Sequence, residues 1–397
     1  MSPEPSPFSK RTEWQRQPNR ITTVHEELKA QNTDILDLTL SNPTRCGFEY
    51  PQKIIFNALQ NPAGLEYLAD ARGLPDAREA IAQLYRARGV AISADNIFLT
   101  ASTSEAYAYI FRLLADPQDT VLFPAPSYPL FHFLGELSDV ELGFYPLTYT
   151  DGWSIDMAAL VEALHPRVKA LVMVNPNNPT GSYVRPGELE HLNTLCAARG
   201  MALISDEVFY EFPLGDRPGP SLAGNAPALT FTLGGLSKFF GLPQMKLSWI
   251  LLSGPERLVL EAQQRLEIIA DTYLSVNTPV QRALPEWLAH ADLMQRPILE
   301  RMRDNWRFLQ QETAGLTGTR LLDAQGGWYA VLKVSADKTE EEWVLKLLAK
   351  YHVFVHPGYF YDFADGPFLV VSLIVPVDIF RKGIQRVLSR IEQQTGP

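Results

Sequence analysis

The chain has 397 residues, 46% of them hydrophobic, enough for roughly two domains of about 150 residues around a large core. Its 35 basic residues against 45 acidic ones, net −10, leave no basic stripe to neutralise a nucleic acid or an anionic membrane. Cys46 and Cys196 lack metal-ligand spacing, the seven histidines are scattered, and no apolar run approaches the ~18 residues of a membrane span, so free thiols, no metal and a cytoplasmic location are expected.

The first twenty residues, rich in Pro, Ser and charge, have no hydrophobic period and read as a mobile arm or a strap. A short helix is expected over 24–31 and a strand over 35–40, ending in Ser41-Asn42-Pro43-Thr44-Arg45. Between Tyr67 and Gly89, the positions Leu74, Ala77, Ile81, Leu84 and Tyr85 follow helical spacing. From Asn96 strands and helices alternate. Strands are expected over 96–102, 120–126, 140–147, 168–176 and 201–209, and helices over 105–114, 130–137, 156–164 and 186–199. Near-continuous apolar strands separated by helices predict an α/β fold, a three-layer, mostly parallel sheet covered on both faces, whose ligands gather at the strands' carboxyl ends. After Pro255 come helices to about Ile269, from Thr278 and over 294–311. Strands over 328–334, 352–357 and 368–374 and helices over 340–350 and 377–393 then form a smaller α+β domain. The division expected is an N-terminal arm and small-domain segment (1–45), a large domain (46–290) and a small C-terminal domain (291–397).

The stretch Ala228 to Ser253 organises the rest. Two buried strands, Leu229 to Leu233 and Leu247 to Leu252, flank a Gly-broken loop that carries Lys238. A lysine held between buried strands loses water, its pKa falls, and its amine is freed to attack a carbonyl. Ser237-Lys238 followed eight residues later by Lys246 resembles the pyridoxal-phosphate (PLP) pattern of the class I/II aminotransferases, an aspartate aminotransferase-like family of fold type I.

The resemblance implies a PLP enzyme working as a homodimer, with Lys238 forming the Schiff base and acting as general base. Asp206, in ISDEVFYEF, would alone read as a cap or salt-bridge partner; the resemblance makes it the partner of the pyridine nitrogen. Asn178 in NPNNPTG is otherwise a turn residue and here would donate to the cofactor's phenolic oxygen. Tyr128 in PAPSYPLF is either a core tyrosine or the platform under the ring. Ser102, Thr103 and Ser104 open a helix, which suits both an N-cap and a phosphate site, with Ser237 and Lys246 completing the cradle. Tyr67, ahead of Gly73 and Arg78, either packs or reaches the neighbouring subunit's phosphate, and the same choice holds for Asn277 and Thr278. Asn42 and Arg45 stand where the family turns toward the substrate.

Three departures qualify the resemblance. Phe209 replaces the usual tyrosine three residues after the aspartate, so a hydrogen bond to the phenolic oxygen is absent, while Tyr210 is expected on the opposite strand face. Lys246 replaces an arginine, and Gly235 replaces a phosphate-binding Ser or Thr. Val370 occupies the place of the arginine that clamps the substrate's α-carboxylate, and no arginine lies within 362–379. Either Arg45 or Arg72 supplies the charge, or the carboxylate is recognised differently, or there is none. The expected activity is transfer of an amino group between an amino acid and a 2-oxo acid. The alternatives are β-elimination, decarboxylation or amine transamination on the same scaffold, or a PLP-binding sensor.

Overall fold

The computed structural model describes residues 7–395, with side chains through 392. The central sheet has eight strands in the order Ile97–Thr100, Ser248–Ser253, Thr230–Gly235, Ala202–Asp206, Val168–Val174, Thr120–Ala125, Glu141–Tyr149 and Trp153–Ile155. The five strands from Thr230–Gly235 to Glu141–Tyr149 are parallel; Ser248–Ser253 runs antiparallel to both its neighbours, and Trp153–Ile155 is an antiparallel edge.

Alternate residues of one strand feed opposite cores, as the period-two geometry of a strand requires. Phe98, Val121, Phe123, Phe231 and Ile250 join Phe111 and Leu266 from helices Thr103–Leu114 and Glu256–Tyr273. Leu122, Leu171 and Leu203 turn the other way, onto Leu160, Leu192 and Cys196. Leu99, Trp249 and Leu251 meet Ile81 and Trp287 in a third cluster. A sheet covered on both faces accounts for the unbroken apolar strands.

The smaller domain holds a four-stranded antiparallel sheet ordered Thr319–Leu321, Tyr329–Val334, Phe368–Ser372 and His356–Pro357. Its core joins Trp328, Trp343, Leu347, Val371 and Phe380 to Ile21 and Leu38 from the chain's beginning. Helix Ala291–Thr313 links the cores: Met294 packs with Trp287, whereas Ile298, Met302 and Leu309 belong to the smaller domain.

Three expectations change in detail. The strand expected over 35–40 pairs only at Leu36–Asp37, beside Val353–Phe354, because Asp37 turns its carboxylate onto the amide and hydroxyl of Thr39 (2.8 and 2.6 Å) and ends the ladder. The strand expected over 352–357 splits between two sheets. Strand Ala202–Asp206 stops before Phe209, which lies in a turn, so alternation does not separate it from Tyr210; the Tyr210 hydroxyl instead reaches the Gly219 carbonyl at 3.0 Å. Residues 7–19 form a strap over helix Leu130–Leu137. There Trp14 donates to Glu136 and meets Phe133 edge-on, and Arg11 pairs with Asp139. The first six residues of the expected arm lie outside the described residues.

Candidate active site

A cavity of about 630 Å³ opens at the carboxyl ends of the parallel strands, between the central sheet and the smaller domain. It gathers Ser102, Thr103, Ser104, Tyr128, Asn178, Asp206, Ser237, Lys238 and Lys246, residues spread over 145 positions that the sequence reading singled out separately. Parallel βα units place each strand end on the same rim, which explains the convergence.

Lys238 sits in the one-turn helix Leu236–Phe239 that follows strand Thr230–Gly235. Its ammonium lies 4.9 Å from the ring centre of Trp328 and 5.5 Å from that of Phe209. Burial among these rings pulls its pKa down to about 8, with Asp206 and Cys46 pulling the other way. Desolvation thus wins over the nearby carboxylate.

Asp206 ends its strand almost wholly buried, and burial raises its pKa to about 6. The Val208 amide at 3.2 Å, the Tyr107 hydroxyl at 3.1 Å and Lys238 favour the ionised form against that cost. Next to it, buried Glu207 accepts from Ser221 Oγ (2.6 Å), the Leu222 amide (2.7 Å) and Ser205 Oγ (3.0 Å), pinning the turn that aims Asp206.

The side-chain oxygen of Asn178 is buried without a partner, and its amide makes no hydrogen bond among the described residues. An orphaned polar group at a cavity wall fits a missing ligand. Opposite, Ser102 caps helix Thr103–Leu114 by accepting from the Glu105 amide, while Glu105 reaches back to the Ala101 amide at 2.6 Å. The hydroxyls of Thr103, Ser104 and Ser237 and the ammonium of Lys246 have no hydrogen-bond partner among the described residues. A helix N-terminus with free hydroxyls and one cation suits a phosphate dianion. Together these groups fit a phosphorylated aldehyde bearing a ring nitrogen and a phenolic oxygen.

Several cavity residues lie beyond the sequence reading. Ser248 stands opposite Gly235 in the ladder, and a Cβ at Gly235 would lie 2.2 Å from its hydroxyl. Ser248 therefore fills the space that a Ser or Thr at 235 would take, a pairing legible once strand register is known. Tyr107, one helical turn after Ser104, was hidden in an apolar face. Ser41, Tyr329, His356, Phe360 and Tyr361 come from the smaller domain and the segment leading to it, where no motif announced them.

Other residues lie elsewhere. Asn42 and Arg45 are exposed and outside the cavity lining, where Ser41 stands instead. Arg72 is engaged by Glu267 at 2.6 Å and by the Asp95 carbonyl, so it is not the missing clamp. Tyr67 is 61% exposed and away from the cavity. Asn277 caps helix Thr278–Ala289 by accepting from the Val280 amide, which matches its reading as a helix-entry residue. Val370 is buried in strand Phe368–Ser372 opposite His356, and among the described residues no arginine lines the cavity.

The family Aminotransferase class I and II matches residues 48–371. The chain is 29% identical over 261 residues to the glutamate-pyruvate aminotransferase AlaA of Escherichia coli, a match covering 65% of this chain but 64% of that protein, under two thirds of its length. It is 27% identical to the Haemophilus influenzae glutamate-pyruvate aminotransferase, over 88% of this chain and 90% of the relative. The fold superposes on an alanine aminotransferase from Pyrococcus furiosus with a TM-score of 0.88, at 24% identity over 97% of this chain and 100% of that one. With that family match spanning most of the sequence and the fold alike throughout, the chain belongs to the class I and II aminotransferases.

Proposed function

We propose that the protein is a PLP-dependent aminotransferase that moves an amino group between an amino acid and a 2-oxo acid. The observation that carries this reading is the convergence of Lys238, Asp206, Asn178 and the Ser102–Ser104 helix start on one cavity. Lys238 would hold the aldehyde, Asp206 face the pyridine nitrogen, Asn178 donate to the phenolic oxygen and Tyr128 lie against the ring. Ser102, Thr103, Ser104, Ser237 and Lys246 would hold the phosphate. When bound, the cofactor supplies an electron sink for the bond broken at the substrate's α-carbon.

The protein's own part is to keep a neutral amine ready. A lysine with a pKa near 8 is substantially unprotonated at mildly alkaline pH, and its amine takes the proton from the substrate's α-carbon. Asp206, with a pKa near 6, is ionised at neutral pH and holds a proton on the ring nitrogen. The aromatic walls exclude water around both.

The working unit is a homodimer. Leu65, Tyr67, Leu68, Ile268 and Leu274 are exposed on one chain and available for a second copy to cover, and Tyr67 of that copy would reach the phosphate. Both cysteines are buried and free, which fits the reducing cytoplasm and amino acid metabolism there. One observation favours a second reading, elimination, decarboxylation or transfer from an amine: among the described residues no arginine lines the cavity.

The direct test is conversion of glutamate and pyruvate, the pair named for the curated relatives, by the PLP-loaded protein. Asp206→Asn is expected to lower kcat by roughly a hundredfold or more, the scale of losing a preorganised charge. Pyruvate and ammonia formed from serine, without amino transfer, would support elimination instead.

A further inference from the structure

Once Lys238, Lys246 and Asp206 are assigned to the cofactor, no charged side chain among the described residues remains in the cavity lining to meet a substrate. The wall opposite the phosphate cradle is built from Ser41, Tyr329, His356, Phe360 and Tyr361. Strand register fixes what faces it. Tyr329 is opposite Ser372, and Val370 is opposite both Val331 and His356. Opposed residues share a face, and Tyr329 and His356 line the cavity, so Val370 is on the cavity-side face of this sheet. A guanidinium at 370 would rise beside His356; valine leaves that space to the imidazole.

His356 Nδ1 lies 3.0 Å from the Tyr361 hydroxyl. Tyr361 is buried, its own pKa is pushed well above the usual phenol value, and its hydroxyl has no other side-chain or backbone partner among the described residues. A hydroxyl that keeps its proton can donate it to Nδ1, an arrangement that would place the hydrogen of His356 on Nε2. Burial keeps the ring neutral, with a pKa down to about 4. Nε2 makes no hydrogen bond among the described residues, and His356 is one of the residues that line the cavity.

We propose that His356, positioned by Tyr361, is the uncharged donor that receives the substrate's α-carboxylate in place of an arginine. This rests on the aminotransferase reading of the same cavity. A single neutral N–H holds a carboxylate less firmly than a bidentate guanidinium, so the site anchors the α-carboxylate of amino acids and 2-oxo acids weakly. It also accepts the corresponding carboxamides, whose carbonyl oxygen can accept the same bond.

The test uses the PLP-loaded protein, with pyruvate as substrate and lactate as an unreactive carboxylate. His356→Val is expected to raise the KM for pyruvate roughly tenfold or more, with kcat changed much less, as for loss of one hydrogen bond to a charged group. His356→Gln, which keeps an N–H, restores most of the loss, and Val370→Arg placed on His356→Val restores it by the usual route. In protein labelled with ¹⁵N-histidine, the His356 signals, identified by their loss in His356→Gln, report a neutral ring protonated on Nε2 and shift when lactate is added. A His356→Val enzyme with unchanged KM, or a His356 signal indifferent to lactate, overturns the proposal. A protein that turns over no amino acid, yet whose His356 signal still moves with lactate, keeps this assignment and loses the aminotransferase reading.

Discussion

Lys238 and Asp206 are each displaced from their ordinary pKa in favour of their own neutral forms, because the cost of burying each charge outweighs their mutual attraction. For a lysine with a lowered pKa, the neutral amine is favoured from about pH 8 upward in the folded protein, whereas an unfolded chain keeps its proton until about pH 10.4. Reductive methylation of the cofactor-free protein, followed by mass spectrometry, should thus show Lys238 reacting with a midpoint near pH 8. Asp206→Asn removes a charge that raises that pKa, so the midpoint should fall further; a midpoint near 10 in the parent protein would contradict the burial argument. Tyr107 makes the complementary case. Tyr107→Phe deletes the 3.1 Å donor that favours ionised Asp206, so the Asp206 pKa should rise and PLP binding should weaken more at about pH 6 than at about pH 8 in an equilibrium titration. At this scale the sequence was informative where chemistry restricts the residue type. Lys238, Asp206 and Asn178 could be singled out as candidates that the cavity then gathers, whereas Tyr107 and His356 of the same lining could not, because a tyrosine on a helix face or a histidine in a short strand looks like core until its neighbours are known.

The elements around the site are tightly fitted. Gly235 has an extended φ of 177°, so its backbone would suit any residue; what excludes a side chain is the Ser248 hydroxyl across the ladder, 2.2 Å from where a Cβ would stand. Gly235→Ala should cost about 1–3 kcal/mol of stability through overpacking, and Ser248→Gly in the same chain should recover most of it in thermal unfolding. Asn305 plays a similar part in the smaller domain. Its buried amide donates to the carbonyls of Leu373 and Val375, both at 2.9 Å, and so fixes the bend after strand Phe368–Ser372. Asn305→Ala leaves two buried acceptors unpaired and should lower stability by roughly 2–4 kcal/mol in denaturant unfolding. Elements were readable where apolar runs were long and buried on both faces. The short pairings at Leu36–Asp37 and His356–Pro357 were not, since side-chain turns and partner strands distant in sequence decide them.

Across the whole molecule, the site belongs to neither domain alone. The central sheet brings Asn178, Asp206 and Lys238 to the cavity through its strand ends, and the smaller domain supplies Tyr329, His356, Phe360 and Tyr361. The alternation of strands and helices made the first half legible; the second depends on how the two layers meet, which no local pattern encodes. The exposed apolar residues Leu65, Tyr67 and Ile268 predict association, so sedimentation equilibrium should give about twice the 44.5 kDa chain mass, and a strictly monomeric protein would contradict the homodimer. Whether Lys238 holds a PLP cofactor competent for amino transfer is read from the visible absorbance of the PLP-loaded protein before and after L-alanine and then pyruvate, beside Lys238→Ala. A lysine-dependent band that L-alanine bleaches and pyruvate restores is expected. A band unchanged in Lys238→Ala, or one that no amino acid alters, would contradict it.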